Sequence, residues 1–365
     1  MTLHLFNPEH DLALASGLAN FTAPHAGRQL RHDLGFLPAL WAKEGDVVLV
    51  DDVEEAERTW QQLAEGCGIK FTDCRFLNWK SWATIGEADA IEPWGWDATL
   101  QTALARTPSA IYQLLPTDED LQVIRQLSHR REAARVLAAL RELPATVGEA
   151  YECHSMDEVR ERIATIGHAV IKAPWSSSGR GVRFTSQHST PNTQHSTLTS
   201  WLQNIIARQG SVMIEPYYNK VKDFGLEFYS DGKGTINYLG LSLFHTENGA
   251  YTGNVLATEA SKRELLGRVL PLSLLDEAKS RLCIELGALC NGKYTGPLGV
   301  DLMVVENKGL TTLLHPCVEI NLRRTMGHVA LALEKRLNPT DDDKLRHIMQ
   351  IEYTNGRYHL HIYSE

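Results

Sequence analysis

Residues 169–184 read AVIKAPWSSSGRGVRF, and this segment organises the interpretation of the whole chain. Its first residues are apolar and predict a short strand that ends at Lys172. Six of the next nine residues are small, which leaves backbone N–H groups unshielded. Residues 182–184 then resume the alternation of a strand. A small-residue loop between two strands, with a lysine at its base, predicts a polyphosphate site, because the N–H groups form a concave anion site beside an ammonium.

This loop differs from the common nucleotide motifs. No Gly-Lys-Ser/Thr closes it and no helix follows directly, so it is not a Walker A loop, and it does not fit the Gly-x-Gly-x-x-Gly fingerprint. Taken alone, it is equally compatible with a plain Ser/Gly hairpin loop. The candidate phosphate-binding residues are Lys172, Ser176, Ser177, Ser178, Gly179 and Gly181.

The composition is that of an acidic globular protein. The 365 residues suffice for two or three domains. The formal net charge of -9 disfavours a nucleic-acid or anionic-membrane surface, so we expect no nucleic-acid partner. No run approaches the roughly 18 apolar residues of a membrane helix, and no basic segment precedes an apolar stretch at the start, so we expect neither a membrane span nor a signal peptide. The six cysteines are scattered, which favours reduced thiols in the cytoplasm.

Strand and helix signals alternate over the first 115 or so residues and predict a small parallel α/β domain. Strands are expected at 3–6, 47–50 and 69–71, and helices over 54–64 and from about Asp97.

The loop after the first strand is polar and carries Asn7, Glu9, His10 and Asp11. Such residues at the carboxyl end of a first strand often face a ligand in open α/β sheets. The alternative is structural, with Asp11 capping a helix and Asn7-Pro8 forming a turn.

Several segments of the remaining chain have clear local signals. Residues 117–120 have N-cap chemistry and begin a helical region, and a domain boundary is expected near 116–127. A helix is expected at 156–166. Polar loops are expected at 186–200 and at 245–254, the second of which begins with His245. A C-terminal hairpin is expected to turn at Asn355-Gly356.

Two predicted strands near the C-terminus carry a set of oxygen-bearing side chains. Side chains alternate along a strand, so Glu319 and Asn321 point the same way. Both can offer oxygens to Mg²⁺, and Asp301 on a neighbouring strand could supply a third ligand. Arg323 continues that face and could bind a phosphate or carboxylate bidentately. The alternative is that Glu319 and Asn321 are the solvated face of an antiparallel sheet.

Residues from about 125 to 335 resemble the ATP-grasp superfamily, because they contain in this order a lysine, a glycine-rich loop, an acidic residue and a Glu-x-Asn pair. The resemblance implies that Lys172 and the loop contact ATP phosphates and that Mg²⁺ is held by the acid and the Glu-x-Asn pair. It also implies a purine beside the strand that ends Glu215-Pro216-Tyr217, and a further cation at Arg130 or Arg131. The resemblance therefore implies that the metal residues are Asp301, Glu319 and Asn321, and that the nucleotide residues include Glu215, Pro216 and Tyr217. It implies Lys172 and Arg323 as catalytic residues. The substrate candidates are Asn7, Glu9, His10, Asp11, His245 and Arg323.

The spacing from Asp301 to Glu319 departs from the family's pattern, because it is longer than usual. A tight turn at Asn307-Lys308 would place Asp301 opposite Leu314 and leave Glu319 too far along its strand. Both carboxylates can reach one metal only if the loop is longer, or if Pro316 marks a bulge.

The resemblance implies an N-terminal small parallel α/β domain followed by an ATP-grasp fold, so both α/β and α+β parts are expected. The expected domains are residues 1–120, a small subdomain with the phosphate loop over 121–210, and a C-terminal subdomain with the Mg²⁺ site over 211–365.

The activity implied is that of an ATP- and Mg²⁺-dependent ligase. It would join a carboxylate to an amine or thiol on a small molecule or peptide through an acylphosphate. A small-molecule kinase on the same scaffold and a non-catalytic nucleotide-binding protein are the alternatives, and a nucleic-acid binder ranks last. A homodimer in the cytoplasm is a further expectation.

Overall fold

The computed structural model describes residues 1–70, 73–85, 87–107, 110–176, 181–185, 194–247, 250–307, 311–337 and 347–364. These residues form four sheets of four strands each. One sheet is parallel and three are antiparallel.

The N-terminal sheet is parallel, with strand order β3-β2-β1-β4. Its strands are β1 (Thr2–Leu5), β2 (Val47–Val50), β3 (Arg75–Asn78) and β4 (Ala90–Pro93). Strand β2 is buried along its whole length, as a run of four apolar residues predicts for a parallel sheet covered on both faces. The expected parallel α/β domain is therefore confirmed.

Five helices flank this sheet in the described residues, and Asp97 caps the last of them by accepting a hydrogen bond from the Leu100 N–H at 2.9 Å. The strand expected at 69–71 was wrong over its described part, because Ile69 and Lys70 only leave the preceding helix and β3 begins at Arg75. The helices are α1 (His10–Ser16), α2 (His25–Asp33), α3 (Val53–Cys67), α4 (Trp79–Ile85) and α5 (Ala98–Ala105).

Two helices, α6 (Asp118–Leu127) and α7 (Arg130–Leu140), follow the N-terminal sheet. A capping box between Thr117 and Asp120 begins the first, as the sequence predicts. Their apolar faces belong to the same core as the large C-terminal sheet.

The small antiparallel sheet carries the predicted phosphate loop and has the order β5-β8-β6-β7. Helix α8 matches its expected bounds. The expected loop at 186–200 was wrong from residue 194 onward, because α9 begins there. The elements are β5 (Tyr151–Cys153), α8 (Met156–Ile166), β6 (Ala169–Lys172), β7 (Val182–Phe184), α9 (Gln194–Gln209) and β8 (Val212–Pro216).

The C-terminal half forms two more antiparallel sheets, of order β10-β9-β13-β14 and β11-β12-β15-β16. The expected loop at 245–254 was wrong over its described residues, because they pair as a hairpin. The expected turn at Asn355-Gly356 is confirmed, with both residues at positive φ. The elements are β9 (Lys220–Asp231), β10 (Ile236–Ser242), β11 (Phe244–Glu247), β12 (Ala250–Leu256), α10 (Glu259–Gly267), α11 (Leu272–Cys290), β13 (Thr295–Asn307), β14 (Thr311–Asn321), α12 (Met326–Leu337), β15 (His347–Thr354) and β16 (Arg357–Ser364).

The N-terminal and C-terminal parts share a hydrophobic core. One cluster joins Phe6, which follows β1, and Val48 of β2 to Val329 and Leu333 of α12 and to Met349 of β15. All six cysteines are free thiols. Across the described ranges no helix combines the length and apolar character needed to cross a membrane.

Candidate functional site

The predicted phosphate loop connects β6 to β7, and the structure brings its two ends together. The Ala173 N–H donates to the Gly181 carbonyl at 2.8 Å. A Cβ on Gly181 would lie 2.2 Å from the Cβ of Ser176, so only glycine fits at this position. The other loop candidates, Ser177, Ser178 and Gly179, lie outside the described residues, and their role stays a prediction.

We expect Gly181→Ala to weaken MgATP binding by about 10- to 100-fold. Overpacking costs typically about 1–3 kcal/mol, and here the added methyl group displaces Ser176 at the base of the loop. Calorimetric titration with MgATP measures the change. Gly66→Ala is the matched control, because its Cβ would meet nothing within 4 Å. Equal affinities in the two variants would contradict the assignment of this loop.

Lys172 and Glu215 form a buried ion pair in the small sheet. The Nζ of Lys172 lies 2.6 Å from Oε2 of Glu215, and the two side chains are 10% and 11% exposed. Lys172 pairs with Met213 across the strands, so Glu215 is its diagonal neighbour on the same face. The resemblance assigns Lys172 to phosphates and Glu215 to the purine or ribose. The structure joins them, so a bound phosphate would share the lysine with this carboxylate.

The two residues after Glu215 lie at the end of the same strand. Pro216 ends β8. The Tyr217 ring is 42% exposed and stacks on His168, with ring centroids 4.1 Å apart. An exposed, stacked ring is compatible with a base-binding surface, and this role of Tyr217 stays a prediction.

The three predicted metal residues are brought together at one point of the large sheet. Asp301 pairs directly with Glu319 across β13 and β14, and Gly299 pairs with Asn321. The Nδ2 of Asn321 donates to Oδ2 of Asp301 at 3.3 Å. Both carboxylates and the carboxamide therefore lie on the same stretch of two neighbouring strands.

A β-bulge overcomes the long spacing between the two carboxylates. Asp301 pairs with Glu319, and Met303 pairs with His315. An advance of two residues along β13 therefore corresponds to four residues along β14, which leaves extra residues on β14. The extra residues lie around Pro316, where the sequence suggests a bulge as one solution. Beyond the bulge Asn307 pairs with Thr311, so the connection is also longer than a tight turn at 307–308 would be.

This arrangement leaves Asp301 short of positive charge. Burial, reinforced by the neighbouring Glu319 and Glu227 carboxylates and opposed by Arg323, raises the pKa of Asp301 to about 8. Asn321 is its hydrogen-bond partner, and no cationic side chain bonds to it within the described chain. The described residues contain no group of three His, Cys, Asp or Glu arranged around one metal. The predicted donor set of Asp301, Glu319 and Asn321 has two carboxylates and one carboxamide. Hard oxygen donors with excess negative charge fit a divalent cation such as Mg²⁺.

We expect Mg²⁺ affinity to rise with pH until it levels off above about pH 8. The metal and a proton compete for Asp301, whose pKa is raised to about 8. In the metal-free protein, the contribution of Asp301 to the free energy of unfolding is fully present below the ordinary pKa of an aspartate. It is lost as pH rises through the folded-state pKa of about 8. Titrations with Mg²⁺ and ADP between about pH 6 and about pH 9 measure the slope. An affinity independent of pH would remove Asp301 from the metal set.

Arg130 is the cation that faces this site. Its Nη2 donates to Oε1 of Glu319 at 2.6 Å, and its Nη1 donates to the Ala173 carbonyl and to Oγ of Ser176 at 3.1 and 3.2 Å. Arg131 lies elsewhere, with its nearest carboxylate, on Glu152, at 3.4 Å. Of the two arginines that the resemblance leaves open, Arg130 connects Ser176 of the predicted phosphate loop to Glu319 of the predicted metal set.

Arg323 connects the same site to the N-terminal domain. Its Nε and Nη2 donate to Oδ1 and Oδ2 of Asp11 at 2.9 and 2.7 Å, which is bidentate geometry. Its Nη2 also donates to Oδ1 of Asn321 at 3.0 Å. Burial alone would raise the pKa of Asp11, but the Arg323 guanidinium holds it below the ordinary value.

The other polar residues of the N-terminal loop hold that loop in place. Asn7 donates to the Gly95 carbonyl at 2.8 Å, and Nδ1 of His10 lies 3.2 Å from Oδ2 of Asp97. Glu9 pairs with Arg31. Of the four predicted substrate residues in this loop, Asp11 is the one that contacts the residues around Glu319, through Arg323.

His245 lies on β11, where it pairs with Gly253 and is exposed. This strand is at an edge of the fourth sheet, whereas the metal residues lie in the large sheet. Its substrate role stays a prediction.

Sequence reasoning missed two buried groups near the site. Glu227 on β9 is 3% exposed, and its Oε2 lies 3.0 Å from Nδ1 of His328. A carboxylate inside an apolar strand was the signal that could have revealed it. His315 on β14 has both ring nitrogens without hydrogen-bond partners, and burial, reinforced by Lys172, lowers its pKa to about 3. Nothing in its local sequence distinguishes it from a surface histidine.

A narrow space lies between the loop and the N-terminal domain. Its walls include Asp11, Ser176, Glu319 and Asn321, and its volume is about 20 Å³. That is room for one water molecule. The walls must therefore separate before a substrate can enter.

Comparison with solved structures identifies the architecture. No protein-family model and no curated protein matches the sequence. N5-carboxyaminoimidazole synthetase from Staphylococcus aureus, complexed with ADP, superposes with a TM-score of 0.51 at 12% identity, over 97% of this chain and 83% of that chain. Biotin carboxylase from Campylobacter jejuni, in a β,γ-ATP complex, gives 0.50 at 14% identity, over 96% and 75%. N5-carboxyaminoimidazole ribonucleotide synthetase from Thermus thermophilus gives 0.50 at 13%, over 96% and 83%.

The similarity covers nearly the whole chain, and all three structures are ATP-grasp enzymes. The chain has the ATP-grasp fold. At these identities the likeness establishes the fold alone, so the fold class expected from the sequence is confirmed. Within the ATP-grasp fold, the loop after β6 and the β13–β14 pair face each other through Arg130, which bonds to both.

Proposed function

We propose that this ATP-grasp protein is an ATP- and Mg²⁺-dependent ligase that joins a carboxylate to an amine or a thiol. The observation that carries the proposal is the strand pairing that places Asp301 opposite Glu319, with Arg130 bonded both to Glu319 and to Ser176 at the start of the predicted phosphate loop. Structural neighbours that contain ADP or an ATP analogue support a nucleotide in this cleft.

Lys172, Ser176 and Arg130 supply the positive charge and the donors that would hold the phosphates. Asp301, Glu319 and Asn321 would hold Mg²⁺, which when bound neutralises charge on the transferring phosphoryl group. The residues of this chain position the groups and stabilise charge as it develops. Glu215, Pro216 and Tyr217 would line the purine and ribose.

The proposed reaction has two steps. In the first, a carboxylate oxygen of the substrate attacks the γ-phosphorus of ATP, the bond to the β-phosphate oxygen breaks, and ADP leaves. In the second, the amine or thiol attacks the acyl carbon, inorganic phosphate leaves, and the nucleophile loses a proton. Arg323 lies beside Asn321 and could orient the acid, while Asp11 orients Arg323.

The proposed reaction needs no side-chain nucleophile, because the substrate carboxylate attacks the γ-phosphorus directly, and Arg130 is placed to stabilise charge. Its guanidinium bonds to a metal carboxylate, Glu319, and to the loop hydroxyl of Ser176. A cation between Glu319 and Ser176 is placed to stabilise the negative charge of the phosphoryl group while it is transferred from ATP to the acceptor oxygen. Closure of the narrow space beside Ser176 and Glu319 would exclude water from the acylphosphate.

Thermal unfolding with and without MgATP tests the nucleotide site. A ligand that binds only the native state must raise the unfolding midpoint. We expect a rise for the wild type and a smaller one for Lys172→Ala. No rise at millimolar MgATP would overturn the proposal.

Trapping with hydroxylamine tests the chemistry. Hydroxylamine attacks an acylphosphate and yields a hydroxamate, so a panel of carboxylic acids is screened for ADP release together with hydroxamate formation. Hydroxamate that depends on MgATP supports the ligase. ADP release with a phosphorylated hydroxyl product and no hydroxamate would establish the kinase alternative instead.

The remaining expectations belong to this proposal. We propose a small-molecule or peptide substrate, a cytoplasmic location and a homodimer, with domains at 1–120, 121–210 and 211–365. Helices α6 and α7, which the proposed division places in the middle domain, share a hydrophobic core with the large sheet.

A further inference from the structure

Trp175 lies immediately before Ser176, at the start of the predicted phosphate loop, and is 7% exposed. Its backbone N–H donates to Oε1 of Gln209 in α9 at 3.0 Å. Its indole Nε1 donates to the Arg125 carbonyl in α6 at 2.9 Å. Both N–H groups of this residue are therefore bonded to neighbouring helices. A buried side chain that is held from two sides gives the loop a fixed starting point.

The guanidinium of Arg125 covers the face of the same indole. Its Cζ lies 3.9 Å from the centroid of the Trp175 ring, which is cation–π geometry. Burial lowers the pKa of Arg125, and no carboxylate bonds to its side chain within the described ranges. The indole face is therefore one of the groups that compensate this half-buried charge.

The same guanidinium reaches the N-terminal domain. Its Nε donates to the Leu14 carbonyl at 2.7 Å, in the last turn of α1. The last four carbonyls of a helix lack intrahelical partners, and Arg125 satisfies one of them. Gly17 follows α1 at a φ of 64°, and a Cβ there would lie 3.5 Å from Nε of Arg125. Arg125 therefore joins the end of α1 to the start of the predicted loop.

Helix α1 also contacts the opposite wall of the site. Asp11, in its first turn, forms the bidentate pair with Arg323. Leu14 and Trp175 both line the narrow space of about 20 Å³. The helix is thus held on one side by Arg323 and on the other by Arg125, with the proposed site of phosphoryl transfer between them.

We propose that Arg125 is a positioning residue of the nucleotide site. By stacking on Trp175 and bonding to α1, it fixes the start of the predicted phosphate loop against the N-terminal domain, so that the donors of the loop meet the phosphates. Arg125 acts through Trp175 rather than by contact with the nucleotide. This inference rests on the proposed function, because it takes the loop as the phosphate site.

The test is calorimetric titration with MgADP, together with thermal unfolding of the apoprotein. We expect Arg125→Gln to weaken MgADP binding by about tenfold, as expected for loss of a partly desolvated cation–π contact. Arg125→Lys keeps a cation and should restore part of that affinity. A lower unfolding midpoint with unchanged MgADP affinity in Arg125→Gln would show a structural role only and would overturn the proposal.

A double-mutant cycle tests the route through Trp175. Trp175→Leu removes the stacked ring, so Arg125→Gln should cause no further loss of MgADP affinity in that background. The same loss with and without the ring would mean that Arg125 acts by another route, and the proposal would fail. Circular dichroism establishes that each variant is folded.

Arg162→Gln is the matched control. The Cζ of Arg162 lies 3.9 Å from the centroid of the Tyr151 ring, so the same kind of contact is removed. Tyr151 is on β5, which β8 separates from β6 in the small sheet. The MgADP affinity of this variant should equal that of the wild type, and a loss as large as in Arg125→Gln would contradict the proposal.

Failure of the proposed function has a different signature. In that case the wild type itself does not bind MgADP, and the positioning role falls with the nucleotide site. Failure of this inference alone leaves MgADP binding by the wild type intact and equal in Arg125→Gln.

Discussion

Glu319→Gln should lower MgATP-dependent turnover by at least about 100-fold, the loss expected when a magnesium carboxylate is removed from a phosphoryl-transfer site. Glu319 lies opposite Asp301 on the neighbouring strand, so its neutral replacement removes one of the two charges that would be offered to the metal. The rise in unfolding midpoint with MgATP should shrink in parallel.

The apoprotein should remain folded in this variant. Glu319 is 28% exposed, and its side chain pairs with Arg130 but is a like charge for Asp301. A glutamine oxygen can still accept from Arg130, and the repulsion on Asp301 falls. ADP release, MgATP-induced stabilisation and circular dichroism are measured together, so a loss of activity caused by unfolding is recognised.

Glu306→Gln is the control for the change in charge. Glu306 is exposed near the end of β13 and lies opposite Thr312. It should retain turnover and stabilisation by MgATP. Equal turnover in Glu319→Gln and Glu306→Gln would remove Glu319 from the site.

Asp11→Asn should lower the free energy of unfolding by about 2 kcal/mol near neutral pH. It leaves the Arg323 guanidinium without its charge partner, and breaking a buried pair costs about 3–5 kcal/mol before allowance for the 20% and 15% exposure of the two side chains. Because Arg323 also bonds to Asn321, turnover should fall as well. Denaturant unfolding and ADP release measure the two effects.

The pH dependence of this prediction has a definite sign. The pKa of Asp11 lies below its ordinary value of 3.8, so the stability that it contributes is present above that value and is lost as pH falls through the lower, folded-state pKa. The curves of the wild type and Asp11→Asn should therefore converge in strong acid. A constant difference at all pH values would show that packing, not the ion pair, is responsible.

Asp157→Asn is the matched control. Asp157 pairs with Arg160 on the surface, where both side chains are largely exposed, and such pairs contribute about 0–1 kcal/mol. It should leave the unfolding curve nearly unchanged at every pH. A loss in this variant as large as that in Asp11→Asn would mean that the Arg323 contact has no special effect.

Local sequence signals predicted the elements that carry the site. The apolar residues before Lys172 and the alternation after Gly181 place the loop between two strands, and β6 and β7 have those positions. Helix α8 and the capping box before α6 follow in the same way from short-range patterns. The strand expected at 69–71 failed because two apolar residues just beyond a helix end resemble a short strand.

Other failures came from segments whose structure depends on distant partners. The polar residues at 245–247 pair with the chain at 250–254 rather than forming a loop, and β12 in turn pairs with β15 nearly a hundred residues later. Hydrogen bonding to a neighbouring strand offsets weak local preference. Only the tertiary fold supplies that neighbour.

The sequence by itself determined the chemical inventory: a lysine before a glycine loop, an acid on one strand and Glu-x-Asn on the next. Only the tertiary structure decided that these groups meet. The bulge around Pro316 brings Glu319 opposite Asp301, Arg130 rather than Arg131 faces the loop, and Arg323 pairs with Asp11 from the other end of the chain. Periodicity is a property of a few consecutive residues, whereas register and long-range ion pairs depend on how whole sheets pack.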